Sequence, residues 1–404
     1  MKYVVIVGDG MPDYGRRELG GQTPLHYARK PFMDQLASNG VLGLVKTVPE
    51  GCQPGSDVAN LSILGYDPVK YYTGRSPFEA ISMGIELGEE DVAFRCNFVT
   101  LSDDESFVEK QMLDYSAGEI STQEAKILIG ELAKELASEQ LSFFPGISYR
   151  HLMVLKKGPN NLQLTPPHDI HNQKIKDYLP RGEGASVLLK LMEKSNTILP
   201  FSAVNINRKK KGNKVANSIW LWGQGKKPSL VPFTDKYGLK GAVISAVDLI
   251  KGMGLCIGLE VIDVEGATGN LHTNYRGKAE EALAALERGN DFVFIHIEAP
   301  DEAGHQGNVR DKVEAIEKID EYVLGTLKRG LDRYSDYKVM VLADHYTPVS
   351  LRTHTSEEVP FFIYQKSKPG KGNSFHELTA KAAGMYIEEG FRLMDFFCLT
   401  NNTR

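Results

Sequence analysis

The sequence predicts an α/β fold in which a mostly parallel sheet is flanked by helices and interrupted by a smaller inserted α+β domain. Three short apolar runs rich in β-branched residues, at 3–7, 292–297 and 338–342, each end at polar residues and are typical of buried parallel strands. Apolar residues at helical spacing predict a crossover helix over 311–329, with Val313, Ile316, Ile319, Val323 and Leu327 on its buried face. A strand, a helix and a strand in that order indicate a parallel sheet covered on both faces.

The middle of the chain has the pattern of an antiparallel or mixed sheet. Residues 91–100, 148–156 and 219–222 read as strands. Ser121-Thr122-Gln123-Glu124 has the form of a capping box, which predicts a helix through about residue 139. The basic run 208–211 indicates a solvated loop.

These patterns predict a discontinuous core domain made from both ends of the chain. We place the core at residues 1–87 and 218–404, with a closing helix over 376–398, and the inserted domain at residues 88–217. The length of 404 residues agrees with two domains, since one domain takes ~100–200 residues.

Composition excludes several classes of protein. The net charge is −5, with 42% hydrophobic and 25% charged residues, so we expect neither a nucleic-acid binder nor a membrane-surface protein, both of which need a basic face. No apolar run reaches the ~18 residues of a membrane span, and residues 1–9 lack the pattern of a signal peptide. The scattered cysteines predict reduced thiols and a cytoplasmic location; they are Cys52, Cys96, Cys256 and Cys398.

Acidic residues and histidines follow the three predicted strands of the core. The set consists of Asp9, Asp301, His305, Asp344, His345 and His354. The carboxyl ends of parallel strands meet at one edge of a sheet, and carboxylate and imidazole are the ligands that zinc, manganese or cobalt prefer. Each residue alone is more typical of a turn, a cap or an ordinary buried histidine, but the set predicts two metal sites of about three protein ligands each. The other histidines receive no assignment; they are His26, His171, His272, His296 and His376.

The segment Pro54-Gly55-Ser56-Asp57 places a serine where a helix begins. One interpretation makes Ser56 only an N-cap, worth ~1 kcal/mol. The other makes it a nucleophile, because a helix N-terminus attracts phosphate and a nearby divalent metal lowers the pKa of a hydroxyl. The neighbouring metal set favours the nucleophile.

Taken together, Gly8-Asp9-Gly10, Pro54-Gly55-Ser56-Asp57, Asp301 with His305, Asp344-His345 and His354 resemble the alkaline phosphatase superfamily. More closely, they resemble its cofactor-independent phosphoglycerate mutases of the archaeal type. Supporting segments cover nearly the whole chain; they are residues 65–68, 71–75, 93–98, 165–170, 219–223 and 249–252. One departure is Pro12, where glycine is expected, which implies a local change of turn.

The resemblance implies a two-metal mechanism. One metal would be held by Asp301, His305 and His354; the other would be held by Asp9, Ser56, Asp344 and His345. Manganese is the expected ion, with zinc, cobalt or magnesium as alternatives, and no 2,3-bisphosphoglycerate is required. The Ser56 alkoxide would attack the phosphate of 3-phosphoglycerate, and the resulting phosphoserine would return the phosphoryl group to the 2-hydroxyl of glycerate. Lys251 would steady the transferring group, although without the family it reads as a solvated helix lysine.

The resemblance also implies that the inserted domain closes as a lid over the small phosphorylated acid and supplies cations and a base. Asp169 is expected to be the acid and base for the glycerate hydroxyl. The expected substrate contacts are His151, Arg150, His168 and Arg208. An ordinary surface ion pair is an equally good interpretation of Arg208. The sequence is silent on oligomeric state.

Three other functions share this pattern. A related phosphotransferase, such as a homoserine kinase, would keep the metal site and differ in the insert. A metal-dependent phosphohydrolase would let water resolve the phosphoserine. A binding protein that has lost turnover would keep the fold, but it has no reason to retain all six ligands with Ser56 and Lys251.

Overall fold

Strand pairing divides the chain into two compact units, each with its own sheet. The computed structural model describes residues 1–104 and 106–399. The core unit comprises residues 1–72 and 229–404, of which the last five lie outside the described residues, and the inserted unit comprises residues 73–228.

The strands and helices are as follows. The strands are β1 (Lys2–Gly8), β2 (Val41–Val45), β3 (Val92–Leu101), β4 (Met112–Asp114), β5 (Leu141–Phe144), β6 (Arg150–Leu155), β7 (Ser218–Lys226), β8 (Gly241–Ile244), β9 (Glu260–Ile262), β10 (Phe292–Ile297), β11 (Tyr337–Leu342), β12 (Val359–Gln365) and β13 (Tyr386–Ile387). The helices are α1 (Pro24–Tyr27), α2 (Pro31–Ser38), α3 (Ser56–Ile63), α4 (Pro68–Tyr71), α5 (Ser76–Ser82), α6 (Thr122–Leu136), α7 (Ala185–Ile198), α8 (Ala203–Lys210), α9 (Phe233–Tyr237), α10 (Asp248–Cys256), α11 (Tyr275–Glu287), α12 (Ala299–Gln306), α13 (Val309–Lys318), α14 (Gly325–Leu331), α15 (Glu377–Ala382) and α16 (Leu393–Leu399).

The core unit is built on an eight-stranded mixed sheet in the order β13-β2-β12-β11-β1-β10-β8-β9. The block β11-β1-β10-β8-β9 is parallel, and β12 runs antiparallel to both β11 and β2. Strands β1, β10 and β11 are buried almost throughout, as their apolar sequences require. The predicted α/β class is therefore confirmed, and the ends of β1, β10 and β11 lie side by side.

The predicted crossover helix is one continuous helical segment with an irregular centre. Residues Ile319–Leu324, between α13 and α14, form a π-helical turn. All five residues predicted for its apolar face are buried. Within the π turn, the carboxylate of Asp320 accepts hydrogen bonds from the backbone N–H groups of Phe32 and Met33, so it caps the start of α2.

The predicted closing helix over 376–398 is wrong. The segment contains α15, then strand β13, then α16. Gly384 adopts a left-handed φ of 73°, which ends the helical path, and the next residues pair with β2. Pairing between β13 and β2 satisfies backbone groups at the sheet edge, and helical spacing of apolar residues does not reveal it.

The inserted unit is an antiparallel sheet with α6 and α7 packed on one face and α5 on the other. Strand β3 lies between β6 and β7, with β5 beside β6 and β4 pairing at one end of β3. Helices α6 and α7 bury apolar side chains against this sheet in a single core cluster. Ser121 is the N-cap of α6, as predicted, and its Oγ accepts from Glu124 N–H; the Glu124 carboxylate accepts from the Ser121 hydroxyl and not from its backbone N–H, so only half of the predicted capping box forms.

The inserted unit is longer than the predicted range 88–217. Its limits at 73 and 228 include α5 and the whole of β7, because α5 packs against β3 and β7 pairs with β3 along its length. None of the helices in the described part of the chain has the length and apolarity to span a bilayer.

The basic run 208–211 lies at the end of α8 and is not the loop that its charge predicts. Arg208 is buried, and its guanidinium donates to the Glu124 carboxylate at 2.7 Å and to the carbonyl oxygens of Ala117 and Lys214. These internal partners occupy the guanidinium, so the prediction that Arg208 contacts substrate is wrong. Arg208 instead ties α8 to the start of α6.

Replacing Arg208 with methionine should lower the stability of the inserted unit by about 1.5–3 kcal/mol, because a charged hydrogen-bond network is lost. Urea unfolding followed by tryptophan fluorescence measures the change, since both tryptophans, Trp220 and Trp222, lie in β7. Lys209→Met, on the exposed side of the same helix, is the matched control and should shift the midpoint little. Equal midpoints for the two variants would contradict the structural role of Arg208.

Candidate active site

The first candidate metal position lies between α12 and the loop after β11. Asp301 lies in the first turn of α12 and His305 one turn later, so both side chains are on one face of the helix. The Asp301 carboxylate is 3.3 Å from His305 Nε2 and 3.3 Å from His354 Nε2, and the two imidazole nitrogens are 2.9 Å apart. His305 Nδ1 lies 3.0 Å from the carbonyl oxygen of Arg352, which can only accept a hydrogen bond. His305 Nε2 is therefore left free as a ligand.

The second candidate position lies at the ends of β1 and β11. Asp344 Oδ1 accepts hydrogen bonds from the backbone N–H groups of Gly10 and His345, and Oδ2 accepts from the Asn60 amide at 2.9 Å. His345 Nε2 is 3.5 Å from Asp344 Oδ2 and 3.6 Å from Asp9 Oδ1. Asp9 Oδ1 is buried and has no hydrogen-bond partner among the described residues. A buried carboxylate oxygen without a partner indicates a missing ligand.

Ser56 lies beside this second position. Its Oγ is 3.2 Å from His345 Nε2. Ser56 is the first residue of α3, and the N-cap is Gly55, so the interpretation of Ser56 as a capping residue is wrong. Asn60 donates both to the Ser56 carbonyl and to Asp344, which fixes the start of α3 against the cluster.

A buried network beneath the cluster holds the ligand loops together. Lys312 is fully buried and donates to the carboxylate of Asp13 at 2.7 Å and to the carbonyl oxygens of Pro12 and Thr347. The Thr347 hydroxyl in turn donates to Asp301. Pro12, the residue that departs from the family pattern, thus supplies a backbone acceptor to this network, and no side chain is needed there.

The charges of the cluster are strongly perturbed. Burial raises the pKa of Asp9 well above its ordinary value, and the negative charges of Asp344 and Asp301 raise it further. Burial also opposes ionisation of Asp301, but hydrogen bonds from His305 and His354 hold its pKa well below the ordinary value. Burial lowers the pKa of His305, but the Asp301 hydrogen bond and charge outweigh it and raise the pKa to about 9. Without metal, the site therefore takes up protons to balance its carboxylates.

The donor atoms fit divalent metal ions. Among the described residues, three groups of three donors at these positions have ligand atoms within 4.8 Å of one another; they are Asp301, His305 and His354, then Asp9, Asp301 and His345, and then Asp9, His296 and Asp344. All three groups combine carboxylate oxygen with imidazole nitrogen, the ligand types that borderline divalent metals prefer. The structure thus brings together all six predicted ligands and Ser56.

Lys251 lies on α10, which packs against α3 in the core unit. Its Nζ is 2.6 Å from Asp263, whose side chain is 82% exposed. The Lys251 side chain is itself 19% exposed, so the ion pair joins a largely buried lysine to a carboxylate in solvent.

Of the predicted substrate contacts in the inserted unit, Arg150, His168 and Asp169 are exposed and His151 is not. His151 faces the apolar core with its ring 4.7 Å from that of Phe98, and burial lowers its pKa to about 3. Since adjacent residues of a strand point to opposite faces, His151 cannot share a surface with Arg150. The prediction that His151 contacts substrate is therefore wrong.

Two groups near these sites were not predicted from the sequence. His296, at the end of β10, lies 3.1 Å from Asp9. In the inserted unit, Arg95 forms two hydrogen bonds with the buried carboxylate of Glu79, which also pairs with Arg75. Arg95 faces the ring of Trp222 on the same sheet face as Arg150. Two arginines on one glutamate leave an excess positive charge. The family segments 71–75 and 93–98 contain these arginines, but no role was predicted for either.

Metal binding at the Asp301 position should strengthen as pH rises from about 6.5 to 9. His305 has a pKa of about 9 without metal, so an incoming ion must displace its proton over this whole range. The apparent affinity should rise up to ~10-fold per pH unit and level off above pH 9.

Calorimetric titration with Mn²⁺ in two buffers of different ionisation enthalpy measures the proton release directly. His305→Asn is the control and should remove the release together with much of the affinity. An affinity at this position that stays constant between pH 7 and 9 would contradict the assignment of His305.

Comparison with known proteins gives the same family at the level of sequence. A family model described as 2,3-bisphosphoglycerate-independent phosphoglycerate mutase matches residues 37–205. A protein of Geobacter sulfurreducens named probable 2,3-bisphosphoglycerate-independent phosphoglycerate mutase is 50% identical over 397 residues. The match covers 98% of this chain and 99% of the relative.

Comparison with solved structures supports the same family assignment. A protein from Pyrococcus horikoshii aligns with a TM-score of 0.81 at 30% identity, covering 98% of this chain and 96% of that one. The cofactor-independent phosphoglycerate mutase from Thermoplasma acidophilum aligns with a TM-score of 0.65 at 28% identity, covering 98% and 99%. The chain therefore belongs to the 2,3-bisphosphoglycerate-independent phosphoglycerate mutases of the archaeal type, a family of isomerases, as its motifs predicted.

Proposed function

We propose that this chain interconverts 3-phosphoglycerate and 2-phosphoglycerate in a metal-dependent reaction through a phosphoserine at Ser56, without 2,3-bisphosphoglycerate. The observation that carries the proposal is the place of Ser56 Oγ, 3.2 Å from His345 Nε2 at the edge of the cluster of carboxylates and imidazoles. Two divalent ions, when bound, would neutralise the phosphate and lower the pKa of a hydroxyl beside them. Asp301, His305 and His354 would hold one ion, and Asp9, Ser56, Asp344 and His345 the other.

Ser56 suits the role of nucleophile because of the helix that it begins. At the start of α3 the backbone N–H of Val58 donates to the Asp57 carboxylate, and the positive end of the helix dipole beside Ser56 favours a phosphate group. Gly55 precedes Ser56 in an extended conformation and adds no side chain at the point of approach. Attack by Ser56 Oγ on phosphorus would form the Oγ–P bond and break the bond to the glycerate oxygen. The return step would reverse this at the other hydroxyl.

Lys251 is proposed to steady the transferring phosphoryl group. Its present partner, Asp263, is exposed, so a phosphate can replace that carboxylate at little cost. A lysine ammonium is a mobile point charge with three donors, which suits a group that moves from one oxygen to another.

In the inserted unit, Arg150, His168 and Asp169 are proposed to contact the glycerate, with Asp169 as acid and base for its hydroxyl groups. Their exposure supports the proposal. Arg150 lies 5.5 Å from the ring of Tyr149, and His168 Nε2 lies 3.6 Å from Asp169. Excess positive charge on this sheet face, from Arg95 and Arg75 around Glu79, favours a small anionic substrate.

Manganese as the native ion and a cytoplasmic location are part of the same proposal. The mixed oxygen and nitrogen donors accept zinc, cobalt or magnesium as well, so ligand chemistry alone does not select among them. The four cysteines are present as thiols and not as disulfides, which favours a reducing compartment; they are Cys52, Cys96, Cys256 and Cys398.

The proposal is tested by incubating the metal-stripped chain with 3-phosphoglycerate after adding back Mn²⁺, Zn²⁺, Co²⁺ or Mg²⁺ separately. Phosphorus NMR should show 2-phosphoglycerate forming without added 2,3-bisphosphoglycerate and without release of inorganic phosphate. Ser56→Ala should reduce turnover by at least about 10³-fold while metal binding survives, because covalent transfer loses its acceptor.

Asn39→Ala, at an exposed site outside the cluster of carboxylates and imidazoles, is the control for the effects of metal stripping and reloading. It should retain full activity. Steady release of phosphate would instead indicate a hydrolase, and phosphorylation of homoserine without isomerisation would indicate a kinase. Undiminished turnover by Ser56→Ala would overturn the phosphoserine.

A further inference from the structure

His296 is a buried histidine that the proposed ligand set does not use. It lies in β10, one strand from Asp9, and its side chain is 1% exposed. In the parallel pair of β1 and β10, His296 stands opposite Val7, so it lies on the same sheet face as Asp9, two residues further along β1. Its Nε2 is 3.1 Å from Asp9 Oδ2, within hydrogen-bonding distance but poorly aligned.

A short line of polar contacts runs from the backbone to Asp9 through this histidine. The backbone N–H of Val247 donates to Ser245 Oγ at 3.0 Å. Ser245 Oγ is 3.4 Å from His296 Nδ1, and both side chains are buried. Ser245 directly follows β8, the neighbour of β10, so three adjacent strands contribute to the line.

The contacts favour one direction. A backbone N–H can only donate, so Ser245 Oγ accepts from Val247, and His296 Nδ1 is the acceptor that the described residues offer to the Ser245 hydroxyl hydrogen. A neutral imidazole that accepts at Nδ1 carries its hydrogen on Nε2. Nε2 is the nitrogen that lies 3.1 Å from Asp9 Oδ2.

We propose that His296 is a positioning residue of the metal centre, whose Nε2–H holds Oδ2 of Asp9 and so presents Oδ1 to the ion beside His345 and Ser56. This inference rests on the proposed metal-dependent function. The two oxygens of Asp9 have different neighbours, because Oδ2 lies beside His296, while Oδ1 is 3.6 Å from His345 Nε2 and has no hydrogen-bond partner among the described residues. Outer partners of this kind orient a carboxylate ligand and set its affinity for metal.

A direct ligand role for His296 is the competing interpretation. Donor atoms of Asp9, His296 and Asp344 lie within 4.8 Å of one another, close enough for an ion. A metal on Nε2 would require the hydrogen on Nδ1, where it would have to donate to Ser245 Oγ. Because Ser245 already accepts from Val247, its own hydrogen would then lose its imidazole acceptor. The contacts therefore favour His296 as a donor to Asp9.

Metal titration separates the two roles. Wild type, His296→Gln, His296→Leu and Ser245→Ala are stripped of metal and titrated calorimetrically with Mn²⁺. We expect wild type to bind two ions. His296→Leu should weaken one of them about 10- to 100-fold and leave the other unchanged. His296→Gln keeps an N–H donor and should retain most of the wild-type affinity for that ion. The affinity of Ser245→Ala should lie between those of wild type and His296→Leu.

His272→Gln, at an exposed loop histidine, is the control and should bind both ions as tightly as wild type.

The position of the hydrogen gives a second readout that does not depend on activity or on the folding of a variant. In wild-type protein labelled with ¹⁵N-histidine, free of metal and then loaded with Zn²⁺, Nε2 of His296 should carry a directly bonded hydrogen in both states. A bare Nε2 with the hydrogen on Nδ1, or unchanged affinity for both ions in His296→Leu, would overturn the inference. Failure to isomerise 3-phosphoglycerate with both readouts as expected would refute the proposed function and leave the role of His296 intact.

Discussion

Burial of three carboxylates in one small volume is the constraint on which the rest of the core unit depends. Asp9, Asp301 and Asp344 are all nearly inaccessible to solvent, and like charges at such separations repel strongly where water is excluded. Protons or cations must balance them. The histidines around Asp301 supply protons in the absence of metal, and under the proposed function the same nitrogens would become ligands when an ion displaces those protons.

The scaffold meets this constraint by holding these side chains in place with hydrogen bonds to groups outside the proposed ligand set. Backbone N–H groups and Asn60 hold Asp344, the Arg352 carbonyl holds His305, and Thr347 holds Asp301. Gly10 has a left-handed φ of 62°, and a side chain there would come within 2.6 Å of Thr347 Oγ1. A glycine after Asp9 is thus required by the turn and by the close approach of the Asp301 loop.

The sequence predicted well which side chains come together in the cluster, because each follows a buried strand, a place where a polar residue stands out against apolar neighbours. His296 was missed for the opposite reason, since it lies inside the strand and reads as one polar position in an apolar run. Arg208 and His151 were misassigned because residue type alone does not tell which face of a helix or strand is buried. The prediction of a closing helix over 376–398 was wrong because the edge pairing of β13 with β2 depends on residues more than 300 positions apart in the sequence.

Diffraction from crystals soaked in Mn²⁺, with data collected at the manganese absorption edge, tests the central claim most directly. Two anomalous peaks are expected, one among Asp301, His305 and His354, and the other among Asp9, Asp344 and His345 with Ser56 Oγ beside it. Absence of a peak at either position, or Ser56 turned away from both ions, would contradict this account.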